Sequence, residues 1–149
     1  MKPSIQVTCT KANLSAIRHF VKEQLEAMAV AEKTAHQIVL AVDEACANCM
    51  IHSHQCDNCS VIEVELYRDT STVYVEIRDS GKAFPMNEYR PREIEDIIRR
   101  RAKGGMGIFL INRIMDKIEI EEKAQFAVYR FAKRLNGQPL PPSQGIKTA

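Results

Sequence analysis

At 149 residues the chain is long enough for one domain with a sizeable core. Its 45% hydrophobic and 27% charged content exclude a disordered chain and a helical membrane protein. A net charge of +2 makes no case for nucleic acid, and the opening run MKPSIQV lacks the apolar stretch of a secretory signal, so a cytoplasmic protein away from membranes is expected.

Ser4 to Cys9 alternates, with Ile5 and Val7 on one side, and reads as a short first strand. Asn13 is placed to cap a helix reaching Met28, whose stripe of Leu14, Ile17, Val21, Leu25 and Met28 packs a core. A second helix is predicted from Glu32 to His52. There Ile38, Val42, Ala45, Cys46 and Cys49 recur at helical spacing, so one face should be buried. Glu44 and Asn48 stand four apart, one above the other on a neighbouring face. Burying such a pair without a polar partner is costly, and a metal ion carrying phosphates would serve. His54 to Asn58 reads as a loop.

Two alternating strands follow, SVIEVELY with Ile62, Val64 and Leu66 inward, and TVYVEIRD with Val73, Val75 and Ile77 inward. The short Asp69-Thr70-Ser71 link makes them an antiparallel hairpin, and the alternation implies one covered and one wet face. Asp79-Ser80-Gly81 ends the second strand. Lys82 to Lys103 is polar, with a short helical pattern near Glu93 to Arg101 and a cluster of Arg99, Arg100, Arg101 and Lys103. That cluster reads either as a solvated helix end or as a basic lid over an anion. The glycines that follow favour the lid, because Gly104, Gly105 and Gly107 precede a helix whose first N–H groups point outward. This helix is predicted from Gly107 to Met115, and a closing hairpin turns around Lys123-Ala124. The expected organisation is a domain over 1–134 and a Pro/Gly-containing mobile tail over 135–149. Strand, helix, helix, two strands, lid, helix, two strands implies an α+β fold. It would be a two-layer α/β sandwich with a mixed, mostly antiparallel sheet and helices on one face.

Four of the five cysteines form two CxxC pairs, Cys46/Cys49 and Cys56/Cys59, with His52 and His54 between. The residue types suit zinc. The spacing does not: the first pair faces a helix core and only six residues separate the pairs. Two buried thiols and two loop thiols are expected instead.

Three motifs lie in one order: Glu44-x-x-x-Asn48, Asp79-x-Gly81 and Gly104-Gly105-Met106-Gly107. Placed on a helix, a strand end and a loop, they resemble the N, G1 and G2 boxes of the GHKL ATPases, the superfamily of gyrase and histidine kinases. Within it, the chain is most similar to the anti-sigma-factor serine/threonine kinases. The DEAxxNxxxH pattern from Asp43 to His52, the GGMGIFLI run and the short length carry that likeness, which spans roughly residues 4 to 134.

The resemblance implies the Bergerat-type ATPase fold and an ATP-dependent protein kinase using Mg²⁺. Glu44 would deprotonate a serine or threonine hydroxyl of the substrate. Asn48 would coordinate Mg²⁺ and contact the nucleotide. Asp79 would accept a hydrogen bond from the adenine amino group, with Gly81 letting the base approach the backbone. The run Gly104, Gly105, Met106 and Gly107 would hold the phosphates, Gly105 and Gly107 through backbone N–H groups, with Lys103 or a nearby arginine pairing with them. The implied partners are an anti-sigma antagonist as substrate, a sigma-like factor as binding target, and a second copy in a homodimer. Ala47 and Ala83 depart from residues common in the family, but neither removes a proposed catalytic group. Three other readings stand beside this one. They are a nucleotide-dependent partner-binding module without kinase activity, a detached histidine-kinase catalytic domain, and a zinc-binding module.

Overall fold

The computed structural model describes residues 2–52, 61–80, 106–122 and 126–135. The elements are β1 (Ser4–Thr8), a 3-10 turn (Lys11–Asn13), α1 (Leu14–Ala27), α2 (Glu32–His52), β2 (Val61–Arg68), β3 (Thr72–Asp79), α3 (Met106–Ile114), β4 (Lys117–Glu122) and β5 (Ala127–Arg134). The predicted loop at 54–58, the polar segment from Lys82 to Lys103, the Lys123-Ala124 turn and the tail from Asn136 lie outside the described residues.

The strands form one sheet in the order β1-β2-β3-β5-β4. Every neighbouring pair is antiparallel, so the described sheet is wholly antiparallel rather than mixed. β3 and β4 flank β5 and run in the same direction, and the connection between them carries α3.

The period-two pattern sets which face is covered. In register across the sheet stand Ile5, Val64, Ile77, Tyr129 and Ile120, all directed to the helix side. Against them pack Ile17, Val21 and Leu25 of α1, and Ile38, Val42, Ala45, Cys46 and Cys49 of α2. Burying each large apolar side chain contributes roughly 1.5–3 kcal/mol, so this single core is the main favourable contribution to folding.

The opposite face is less wet than the alternation implies. Tyr74 is 7% exposed beside the buried Ala132, and it stacks on its cross-strand partner Tyr67 with ring centroids 4.8 Å apart. The Lys2 ammonium lies 4.5 Å from the centre of the Tyr67 ring. Arg78 reaches Glu63 at 3.0 Å and Glu76 at 2.8 Å, and Arg130 lies 3.6 Å from Glu76 and 3.7 Å from Glu121. Long charged side chains laid flat across the strands cover the sheet with their own stems. Polar spacing shows where charges stand, but not that they lie down on one another.

The start of α1 also departs from expectation. Asn13 does not cap the helix: its backbone is already helical and its side chain makes no capping bond. The preceding 3-10 turn has moved the capping position to Thr10. The Asn13 amide turns back instead, donating to the Thr8 carbonyl and the Thr8 hydroxyl at 2.9 Å each, which ties β1 to the turn.

The other end of α1 closes with a Schellman motif. Val30 N–H donates to Leu25 O, and Ala29 N–H to Glu26 O, both at 3.0 Å. Arg68 then satisfies the Met28 carbonyl at 2.8 Å while donating to Asp69 O and Thr70 O, so one guanidinium joins the helix end to the β2–β3 turn. This closure puts Ala29 at φ 59°, a left-handed position that costs a residue with a Cβ about 1–2 kcal/mol. Ala29→Gly should therefore raise the unfolding free energy by about 1 kcal/mol, after allowing for the greater unfolded-state freedom of glycine. Urea denaturation should show a higher midpoint at an unchanged slope.

Candidate functional site

Among the described residues, the buried face of α2 is apolar except at one position. Asn48 is 2% exposed, surrounded in sequence by the buried Ala45, Cys46, Cys49 and Met50. Its amide nitrogen has no hydrogen-bond partner among the described residues. Leaving a buried amide unsatisfied costs roughly 1–3 kcal/mol, a cost that a ligand accepting from it would relieve.

One turn earlier, Glu44 is half-buried. Burial raises its pKa above the ordinary glutamate range, and the adjacent Asp43 carboxylate adds to the rise. Asp43 is itself drawn away by Arg18 of α1, at 3.0 Å. Glu44 is thus a stronger base than a solvated glutamate, and it is close enough to the surface to meet a substrate.

Asp79 is the last residue of β3 and is fully buried. Its register partners are Ile62 on β2 and Ala127 on β5. The hairpin is closed just beyond it by Ser80, whose hydroxyl accepts the Val61 N–H at 3.0 Å and whose own N–H donates to the Val61 carbonyl at 3.2 Å. The Cys49 thiol of α2 is hydrogen-bonded to both Asp79 and Tyr129 of β5. Through Cys49, the residue after Asn48, the helix motif and the strand-end motif meet. A cleft of about 300 Å³ opens at this end of the sheet, lined by Gln6, Val61, Glu63, Arg78, Asp79, Ser80 and Phe126.

Met106 and Gly107 fall in the first turn of α3, where backbone N–H groups have no intrahelical acceptor. α3 packs against α2. Gly81, Lys103, Gly104 and Gly105 lie outside the described residues; of the expected site residues the structure describes Glu44 and Asn48 on α2, Asp79 at the end of β3, and the backbone of Met106 and Gly107 at the start of α3.

Sequence reasoning passed over Tyr129 and treated Cys49 as packing. A signal was present: Tyr129 is the one hydroxyl-bearing residue on the inner row Ala127, Tyr129, Phe131, and a buried tyrosine hydroxyl needs a partner. Cys46 and Cys49 are buried thiols. Burial first, then neighbouring charges that include Asp79, holds both far above the usual thiol range. Neither is a reactive nucleophile in this state. Cys56, Cys59 and His54 lie outside the described residues. Among the described residues no helix is long and apolar enough to cross a membrane.

The chain is similar to known proteins over most of its length. The profile of the histidine kinase-like ATPase domain matches residues 7–132. A serine-protein kinase RsbW of Halalkalibacterium halodurans is 33% identical over 103 residues, which cover 65% of this chain and 62% of that protein. An RsbW serine-protein kinase of Bacillus velezensis is 24% identical over 112 residues, covering 72% and 69%. In the solved structure of the RsbU and RsbW domains of a Mycobacterium tuberculosis protein, a match with a TM-score of 0.61 at 15% identity covers 91% of this chain and 32% of that one. The SiaB–SiaC complex of Pseudomonas aeruginosa matches with a TM-score of 0.55 at 11% identity, covering 89% of each chain. At these identities the structural matches speak for the fold.

The raised pKa of Glu44 fixes a pH dependence. Above the ordinary glutamate value the unfolded chain is ionised while folded Glu44 still holds its proton, so folding takes up protons across that window. The stability this residue contributes is full below the unfolded pKa and is lost as the pH rises through the folded one. Glu44→Gln, neutral throughout, should match the wild type in thermal unfolding near pH ~4 and exceed it near pH ~8.

Proposed function

The chain belongs to the histidine kinase-like ATPase domain family, and we propose that it is an ATP-dependent serine/threonine protein kinase acting as an anti-sigma factor. In this reading it transfers the γ-phosphate of ATP to a serine or threonine of an antagonist protein and binds a sigma-like factor. The observation that carries it is Asn48, a buried carboxamide with an unmatched amide nitrogen, one turn from a half-buried carboxylate of raised pKa. The relatives named serine-protein kinase support the choice of serine or threonine as acceptor.

The donor set fits Mg²⁺, a hard cation that takes oxygen ligands and keeps several waters. Asn48 Oδ1 would hold it, and the amide nitrogen of the same side chain would be left to donate to a phosphate oxygen. Held there, Mg²⁺ would supply positive charge to offset that on the transferring phosphoryl group. The protein's own groups divide the remaining work. Glu44 accepts the proton of the attacking hydroxyl, and its raised pKa makes that acceptance more favourable. Asp79 accepts from the adenine amino group, and Gly81 gives the base room beside the backbone. The Gly104-Gly105-Met106-Gly107 run would offer N–H groups to the phosphates, Met106 and Gly107 from the first turn of α3, where the helix dipole favours anions, and Lys103 or a nearby arginine would pair with them. β1, a short edge strand, is a surface for pairing in a homodimer.

Calorimetry on the wild type should show ATP binding that requires Mg²⁺, weakened about tenfold or more by Asn48→Ala and by Asp79→Asn. Glu44→Ala should retain ATP and lose phosphate transfer to the antagonist. The wild-type product should survive acid, as phosphoserine does and phosphohistidine does not. A folded wild type that binds no Mg-ATP would end the kinase reading, and binding without transfer would leave a partner-binding module.

A further inference from the structure

The neighbours of Asp79 across the sheet define the surroundings of its carboxylate. Its register partners, Ile62 and Ala127, are apolar and fully buried. The next inward residue of β5 is Tyr129, in register with Ile77 and diagonal to Asp79. Diagonal pairs on one face are about 7–8 Å apart at the backbone, a gap that a long side chain and one intervening atom can close. Cys49 of α2 closes it. The thiol donates to the Asp79 carboxylate, and the Tyr129 hydroxyl donates to the sulfur. All three residues are fully buried, so these bonds are made away from bulk water.

We propose that Cys49 and Tyr129 are positioning residues that fix the orientation of the Asp79 carboxylate and thereby sharpen its recognition of the 6-amino group of adenine. This rests on the nucleotide-site reading of Asp79 given above. A carboxylate at a strand end can rotate about its last torsion, and a base amino group is read only when an acceptor lone pair points at it. One thiol bond sets the rotation without exhausting a carboxylate that accepts at about four positions. Tyr129, through the sulfur, sets where the thiol proton points. The arrangement also explains why a thiol stands on the helix where the packing alone would accept alanine: a methyl group fills part of the space and carries no proton to give.

The experiment compares ATP with purine riboside triphosphate, which lacks the 6-amino group, by calorimetry in the presence of Mg²⁺. Wild type, Cys49→Ala, Cys49→Ser, Tyr129→Phe and Asp79→Asn are measured, each checked for folding by thermal unfolding. Cys49→Ala should weaken ATP by about threefold to tenfold and leave the 6-desamino analogue unchanged. Cys49→Ser, which keeps a donor, should restore most of the preference, and Tyr129→Phe should reduce it in the same direction. Equal weakening of both nucleotides by Cys49→Ala would mean that the thiol only packs, and the proposal fails. If Asp79→Asn abolishes the preference while Cys49→Ala and Tyr129→Phe keep it, Asp79 reads the base without their help and the positioning proposal alone is lost. A wild type with no preference, or an Asp79→Asn variant that retains it, overturns the reading of Asp79 and this proposal with it. If Cys49→Ala does not fold, the serine and phenylalanine variants decide the question.

Discussion

The packing of α2 against the inner face of β2, β3 and β5 is the constraint on which the rest of the structure depends. That interface must exclude water to stabilise the fold, yet it contains Asn48, Asp79, Cys49 and the hydroxyl of Tyr129. Ile38, Val42, Ala45, Ile62, Val64 and Ile77 bury enough apolar surface to hold the polar groups in place. The polar groups in turn cannot drift, because any movement would expose an apolar neighbour or break a bond made away from water. The ordering of these polar groups is therefore a consequence of the core, and the cost of the Asn48 amide that lacks a partner among the described residues is offset by the same packing.

The two faces of the sheet illustrate different ways of covering strands. The helix face is covered by another layer, and its interactions are non-directional. The other face is covered by its own side chains: a tyrosine stack at one end and ion pairs on Arg78 and Arg130 beside it. Isolated pairs of this kind contribute little, about 0–1 kcal/mol each, but their stems remove apolar backbone and Cβ surface from water. Stability comes mainly from the first face. The second face is left charged and patterned.

The turns show how local rules yield to their surroundings. Asn13 has the chemistry of a helix cap, but the 3-10 turn before it places its backbone inside the helix, and its amide holds β1 instead. Ala29 occupies a position that favours glycine, because the Schellman bonds and the Arg68 contact to Met28 close the helix there. In both places the surrounding hydrogen bonds outweigh a local preference worth about 1 kcal/mol.

Element type and order were legible in the sequence because they follow from periodicity. The 3.6-residue recurrence placed α2 from Glu32 to His52, and the two-residue alternation placed the β2–β3 hairpin, with bounds that the structure reproduces to within a residue. The spacing of Glu44 and Asn48 likewise determined that they share a side of one helix. Strand order, the antiparallel pairing of β3 with β5, and the meeting of Cys49, Asp79 and Tyr129 were not legible. They join residues as many as 80 positions apart, from Cys49 to Tyr129, and no local period carries that information. Burial was similarly divided. The sequence by itself determined which residues are apolar enough to enter a core. Only the tertiary structure decided which polar groups entered with them, because that depends on where the register of β3 and β5 brings a carboxylate beneath a helix.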